Sequence, residues 1–181
     1  MINLLLILVY IIAIYEGMRN GFLNQLLSFL VIVVGFWMSF ILSPGITNTL
    51  EVWVPYPSPT SAEAFVLYPE EYAFMLDQSF YHILSFLILF LFFWLLSKLV
   101  LYIIEPLNRF EGNVYVDLIG GAVLNLITVS VIVFLVLFML STMAAESIQG
   151  LIADNAWVRL IIEKTPVLSR LFYNEFIASL V

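Results

Sequence analysis

Four stretches of nearly unbroken apolar residues dominate the chain: residues 2–17, 21–42, 80–104 and 118–140. A helix needs about 20 mostly apolar residues to cross the hydrocarbon of a bilayer, with a range of about 17–25. The last three stretches meet that length, and the first can cross only if Glu16 and Gly17 extend it or if the bilayer thins locally. The third is unusually aromatic, and the fourth is the most hydrophobic. The pattern predicts an all-α integral membrane protein whose four transmembrane helices form a domain over residues 1–143. Beyond the doubling of two helical hairpins it shows no repeat, which weighs against a secondary transporter with repeated halves.

The intervals between these stretches differ in charge. Residues 43–79 read as a loop, since Pro44, Pro55, Pro57, Pro59 and Pro69 lack the amide donor a helix interior needs. Its charges are Glu51, Glu63, Glu70, Glu71 and Asp77, all acidic. Arg19 marks the first short turn, and Lys98 and Arg109 flank the other. Lys and Arg accumulate on the cytoplasmic side of a membrane, so both short turns are expected inside and the acidic loop and both termini outside. Arg159, Lys164 and Arg170 oppose that orientation, but they lie mostly beyond the stretch of about 15–20 residues in which the bias acts. No Lys or Arg precedes the first apolar run, which therefore reads as a retained helix and not a signal peptide.

Residues 144–181 form a different kind of segment. Trp157, Leu160 and Ile161 recur at helical spacing, as do Leu168, Leu171, Phe172 and Phe176, and Thr165-Pro166 resembles a helix start. These runs are too short to span, so the spacing predicts an amphipathic helical tail lying in the bilayer interface. Trp157, Pro166, Phe172 and Phe176 are its candidate contact residues, against the membrane or against a partner subunit.

Polar residues within the apolar stretches carry the rest of the information. Gly21, Asn24, Gln25, Ser28, Gly35 and Ser39 fall within an arc of about 100° when projected at helical pitch. Bulky Phe22, Leu23, Leu30, Val33 and Trp37 lie off it. The fourth stretch gathers Gly120, Gly121, Asn125 and Thr128 on one side, with Asp117 at its entrance. Small residues let helices approach closely and amides hydrogen-bond across the contact, so the second and fourth helices are expected to meet here, with Gln25 and Asn125 among the pairing groups. Lining of a polar path is the alternative use of both stripes.

Glu16 and Arg19 flank the first turn, where a charge near the bilayer boundary needs a partner, water or a function. Arg19 has lipid phosphate, Asp117, Glu105 or Glu111 as candidate partners, while Lys98 is expected to snorkel. His82 shares a helical side with Ser79 and Ser85 and reads as a structural residue.

Composition narrows the chemistry. The 181 residues are 64% hydrophobic and 10% charged, with mean hydropathy +1.11. Soluble domains hold about 45–50% apolar and about 25% charged residues, so a water-soluble enzyme and a disordered chain are both excluded. There is no Cys and one His, leaving no thiolate nucleophile and no Cys or His cluster for zinc. A net charge of −7 disfavours nucleic acid. No catalytic constellation, phosphate-binding glycine motif or cofactor site emerges.

Arg19-Asn20-Gly21-Phe22, followed by Gln25, Leu26 and Ser28, resembles the R-G-F turn of the CvpA (colicin V production protein) family of bacterial inner-membrane proteins. Asp117, Gly121 and the run Leu126 to Leu140 are similar to that family's D-x-x-x-G entry into its last helix. The stretch around Ser147 and Thr165-Pro166-Val167-Leu168 resembles its distal segment. The chain departs from the pattern at Leu118, where a basic residue is common, and at Asn125, where a second glycine is usual and an amide hydrogen bond would replace it. The resemblance implies a multi-pass protein of the bacterial plasma membrane linked to colicin V production or export and to envelope homeostasis. It brings no enzymatic activity or cofactor, and its partners would be the lipid bilayer and either further copies of the chain or other envelope proteins. An oligomeric channel or transporter subunit is the competing expectation.

Overall fold

The computed structural model describes residues 2–56, 65–68, 75–104 and 113–178. All seven elements among them are helices: α1 (Ile2–Asn20), α2 (Phe22–Trp53), α3 (Leu76–Ile104), α4 (Val114–Ser141), α5 (Glu146–Asp154), α6 (Ala156–Lys164) and α7 (Leu168–Phe176). The first four are long and apolar enough to cross a membrane. At about 1.5 Å per residue, the 19 residues of α1 extend about 28 Å, close to the thickness of the hydrocarbon core.

The interval expected as a loop from residue 43 begins later. Helix α2 passes through Pro44 and ends at Trp53, while α3 starts at Leu76. Proline removes one amide donor and strains the preceding turn, but spanning helices tolerate it where Ser and Thr side chains take up backbone carbonyls. Just beyond it, Thr47 Oγ1 donates to the Ser43 carbonyl at 3.0 Å, an additional side-chain bond in the turn after the proline. Glu51 accordingly belongs to α2, and Asp77 to the first turn of α3, where a carboxylate favours the helix dipole. Pro57, Pro59, Pro69, Glu63, Glu70 and Glu71 lie outside the described residues, as do Glu105, Arg109 and Glu111.

The distribution of polarity is inverted relative to a water-soluble protein. Leu4, Val34, Trp37 and Ile41 are each more than 60% exposed, whereas Gln25, Ser28, Ser39, Ser43 and Thr47 are buried. Lipid-facing surfaces need no polar groups, and polar side chains in a spanning helix turn toward protein. Along α2 the buried positions recur every three or four residues from Gln25 through Thr47, extending the expected stripe by two turns.

Contacts divide the chain into two compact units: Met1–Ile41 with Ile88–Ile132, and Leu42–Leu87 with Val133–Val181. The first holds the α1–α2 turn and the glycine-lined seams. The second holds an aromatic core, to which α7 contributes.

Candidate functional site

In the first unit the site is built on the turn between α1 and α2. Gly21 has φ +76°, a left-handed conformation that costs an L-residue roughly 1–2 kcal/mol. Its amide donates to the Gly17 carbonyl at 3.2 Å, closing the end of α1. The next amide, that of Phe22, donates to Asp117 Oδ1 at 3.0 Å. Asp117 stands in the first turn of α4, so one carboxylate serves the amino ends of two helices. Asn113 caps α4 itself, its Oδ1 accepting the Tyr115 amide at 3.0 Å. Asn24 turns back, donating through Nδ2 to the Asn20 carbonyl.

Below this turn α1 packs on α4. A Cβ placed on Gly17 would lie 2.5 Å from the Gly121 carbonyl oxygen and 2.8 Å from Ala122 Cα, so two backbones touch. Gly120 faces the ring of Phe22. Asn125, only 2% exposed, donates through Nδ2 to the Ala13 carbonyl on α1 at 2.7 Å. Thr128 is buried one turn further on.

Helix α2 packs instead on α3. Ser28 Oγ and Ser97 Oγ share a hydrogen bond at 3.3 Å. Gly35 leaves room for Phe93, whose Cγ would lie 2.9 Å from an added Cβ, and the Phe36 and Phe90 rings meet edge to face at 6.0 Å. Ser39 satisfies its hydroxyl on the Gly35 carbonyl.

The expected pairing of the two stripes with each other therefore gives way to two separate seams. The α4 stripe meets α1, the α2 stripe meets α3, and α2 touches α4 at the Phe22, Asp117 and Gly120 corner. Gln25 does not pair with Asn125: it is 2% exposed, and its Nε2 finds no acceptor among the described residues. The sequence concealed the α1 side because the acceptor there is a backbone carbonyl beside Ala13, which no side-chain pattern marks. Ser85 shares a side with Ser79 and His82 in the sequence, whereas Ser97 follows the aromatic run of the third stretch and belongs to neither stripe.

The charged groups also find different partners. Lys98 does not simply reach for the interface: its Nζ donates to Glu16 Oε1 at 2.7 Å and lies 5.8 Å from the Trp94 ring centroid. Arg19 is exposed, and Asp117, one of its candidate partners, is engaged by the Phe22 amide. His82 is exposed, while Ser79 and Ser85 turn inward, to the Phe176 carbonyl and the Thr47 hydroxyl.

In the second unit the tail is drawn into its own chain. Phe172 is fully buried, its ring 5.2 Å from Phe86, 5.5 Å from Phe134 and 5.6 Å from Phe138, and Phe176 stacks beside it at 5.1 Å. These two expected contact residues thus meet α3 and α4 of the same chain. Trp157 and Pro166 stay exposed. A polar set that sequence reasoning missed secures the end of α4. Gln149 donates to the Ser141 and Met143 carbonyls and accepts the Val66 amide. Tyr56 donates to the Thr142 carbonyl, and the Tyr68 and Ser141 hydroxyls share a bond at 2.7 Å. Burial drives the Tyr68 phenol well above its ordinary range, keeping it neutral. Tyr56, Val66 and Tyr68 lie 86, 83 and 73 residues from their partners, separations that carry no spacing signal.

Among the described residues, no three His, Cys, Asp or Glu side chains come together as metal ligands. The site's chemistry is that of helix capping and close packing within a multi-pass membrane protein.

Comparison with known proteins agrees with this architecture. The chain is 19% identical over 175 residues to the uncharacterized transmembrane protein YshB of Bacillus subtilis (strain 168), a similarity covering 94% of each. No solved structure matches it. The profile of the colicin V production proteins matches residues 2–166, which take in the Gly21 turn, Asp117 and both seams. The chain belongs to the colicin V production protein (CvpA) family.

Proposed function

We propose that this protein is a non-enzymatic component of the bacterial plasma membrane that assists production or export of colicin V-type toxins and maintenance of the envelope. The observation that carries the reading is the family match, because the residues it spans include the Asp117 clasp on the α1–α2 turn. The work is done by helix packing and by contacts with other copies of the chain or other envelope proteins. Both short turns face the cytoplasm, and the interval between α2 and α3 faces outward together with the termini. Burial of Gln25, Ser28, Asn125 and Thr128 within one chain favours packing over a polar path through it.

The test is complementation. In a strain lacking its own family member and carrying a colicin V-type toxin system, the wild-type gene restores secreted toxin activity. Asp117→Ala, inserted at equal abundance, restores it poorly. Full secretion by the strain without any copy refutes the proposal.

A further inference from the structure

The junction of α6 and α7 carries charge that neither seam uses. Arg159, Lys164 and Arg170 are three of the six cations in a chain of net charge −7, gathered within twelve residues. Arg159 is fixed by donating to the Ala153 carbonyl. Lys164 and Arg170 are exposed and form no ion pair among the described residues. Two adjoining clefts open beside them, of about 380 and 780 Å³, and both are bordered by Glu163, Ser169, Arg170 and Asn174. Lys164 borders the larger one. The smaller has an apolar wall of Leu67, Ile162 and Phe138. Phe138 belongs to the last turn of α4, which sets that wall within a turn of the end of a membrane-crossing helix.

Cations at the mouth and hydrocarbon along the wall fit an amphiphile better than a free anion. Exposed apolar side chains support the same reading: Val167, which borders the larger cleft, is 72% exposed, and Trp157 and Leu160 on α6 are 63% and 52% exposed, side chains that settle at the boundary of headgroups and acyl chains. Glu163 would repel a bare phosphate dianion but can accept a hydrogen bond from a headgroup hydroxyl. We propose that the α6–α7 clefts bind an anionic phospholipid with a hydroxylated headgroup. Lys164 and Arg170 hold its phosphate, Glu163 and Asn174 engage the headgroup, and Leu67 and Phe138 meet the first carbons of an acyl chain.

The full chain, purified from micelles containing equal phosphatidylglycerol and phosphatidylcholine, is examined by native mass spectrometry. The wild type retains one phosphatidylglycerol. Each cation near an anionic lipid contributes about 1 kcal/mol, so Lys164→Gln and Arg170→Gln each lower retention about fivefold. Arg170→Lys retains it, and so does Arg19→Gln, whose side chain borders neither cleft. Equal retention of both lipids, retention unaffected by Lys164→Gln with Arg170→Gln, or release of the lipid by millimolar inorganic phosphate each overturns the proposal. Both side chains are exposed, so these variants leave the fold intact.

Discussion

Asp117 Oδ1 accepts the amide of Phe22 at 3.0 Å across 95 residues of sequence, tying the start of α4 to the start of α2. The relationship explains why Gly21 and Asp117 belong to one device. The left-handed Gly21 turns the chain so that the Phe22 amide is aimed outward, and the carboxylate meets it before water can. A Cβ on Gly21 would sit 3.1 Å from Asp117 Oδ2, so conformation and space both call for glycine there. Hydrogen bonds to a charged group contribute about 1.5–3 kcal/mol. Asp117→Ala is therefore expected to lower unfolding stability in detergent by about 1.5–3 kcal/mol, and Asp117→Asn by less, because an amide oxygen still accepts. Gly21→Ala adds backbone strain and costs roughly 1–2 kcal/mol. Denaturant titrations of the three variants in one micelle system check the order.

The same substitution at two other glycines separates close packing from helix propensity. Gly17 lies against the Gly121 carbonyl and Ala122 Cα, backbone atoms that cannot step aside. Gly45 has nothing within 4 Å of the position a Cβ would take. Gly17→Ala is expected to destabilise by about 1–3 kcal/mol, as overpacking does. Gly45→Ala is expected to gain about 0.5–1 kcal/mol by stiffening the helix beside Pro44. Equal effects of the two changes would contradict the α1–α4 seam.

The α2–α3 seam has a chemical readout, because the chain contains no cysteine. Ser28 and Ser97 hydroxyls lie 3.3 Å apart. Ser28→Cys with Ser97→Cys should form an intramolecular disulfide under mild oxidation in membranes, seen as a reducible mobility shift without dimer. Ser28→Cys with an exposed site on the same helix as Ser97, such as Leu95→Cys, should not.

How much of this could be read beforehand follows from what periodicity encodes. Apolar length located the four spanning helices, because a bilayer imposes a minimum run that no local contact can override. It misplaced the end of α2, since a proline such as Pro44 stops a helix more readily in water than in a spanning segment, where α2 runs on to Trp53. The buried stripes of α2 and α4 were legible as arcs of small and amide side chains. Their partners were not, because an arc says that a face is buried and leaves open which helix buries it. Ala13 offers Asn125 only a backbone carbonyl, and Gly17 offers Gly121 only the absence of a side chain. The tail illustrates the same limit: amphipathic spacing found the apolar side of α7, and the aromatic pocket that takes it lies on α3 and α4.

That pocket supplies a last and larger effect. Phe172 is completely buried and touches Phe86, Phe134, Phe138 and Phe176 in edge-to-face or stacked contacts. Removing such a ring forfeits its burial and leaves a cavity that rigid neighbours cannot close, so Phe172→Ala is expected to cost about 3–5 kcal/mol. Aromatic pairs add about 0.5–1.5 kcal/mol beyond area alone, which makes Phe172→Leu destabilising despite its similar bulk. Trp157, on the neighbouring short helix, is 63% exposed, and Trp157→Ala should change stability by less than about 0.5 kcal/mol. Limited proteolysis distinguishes the two: cleavage within residues 144–181 should accelerate strongly in Phe172→Ala and stay at the wild-type rate in Trp157→Ala. A tail that lay on the bilayer through both side chains alike would be released by either change, so unequal rates follow only if Phe172 anchors it to α3 and α4.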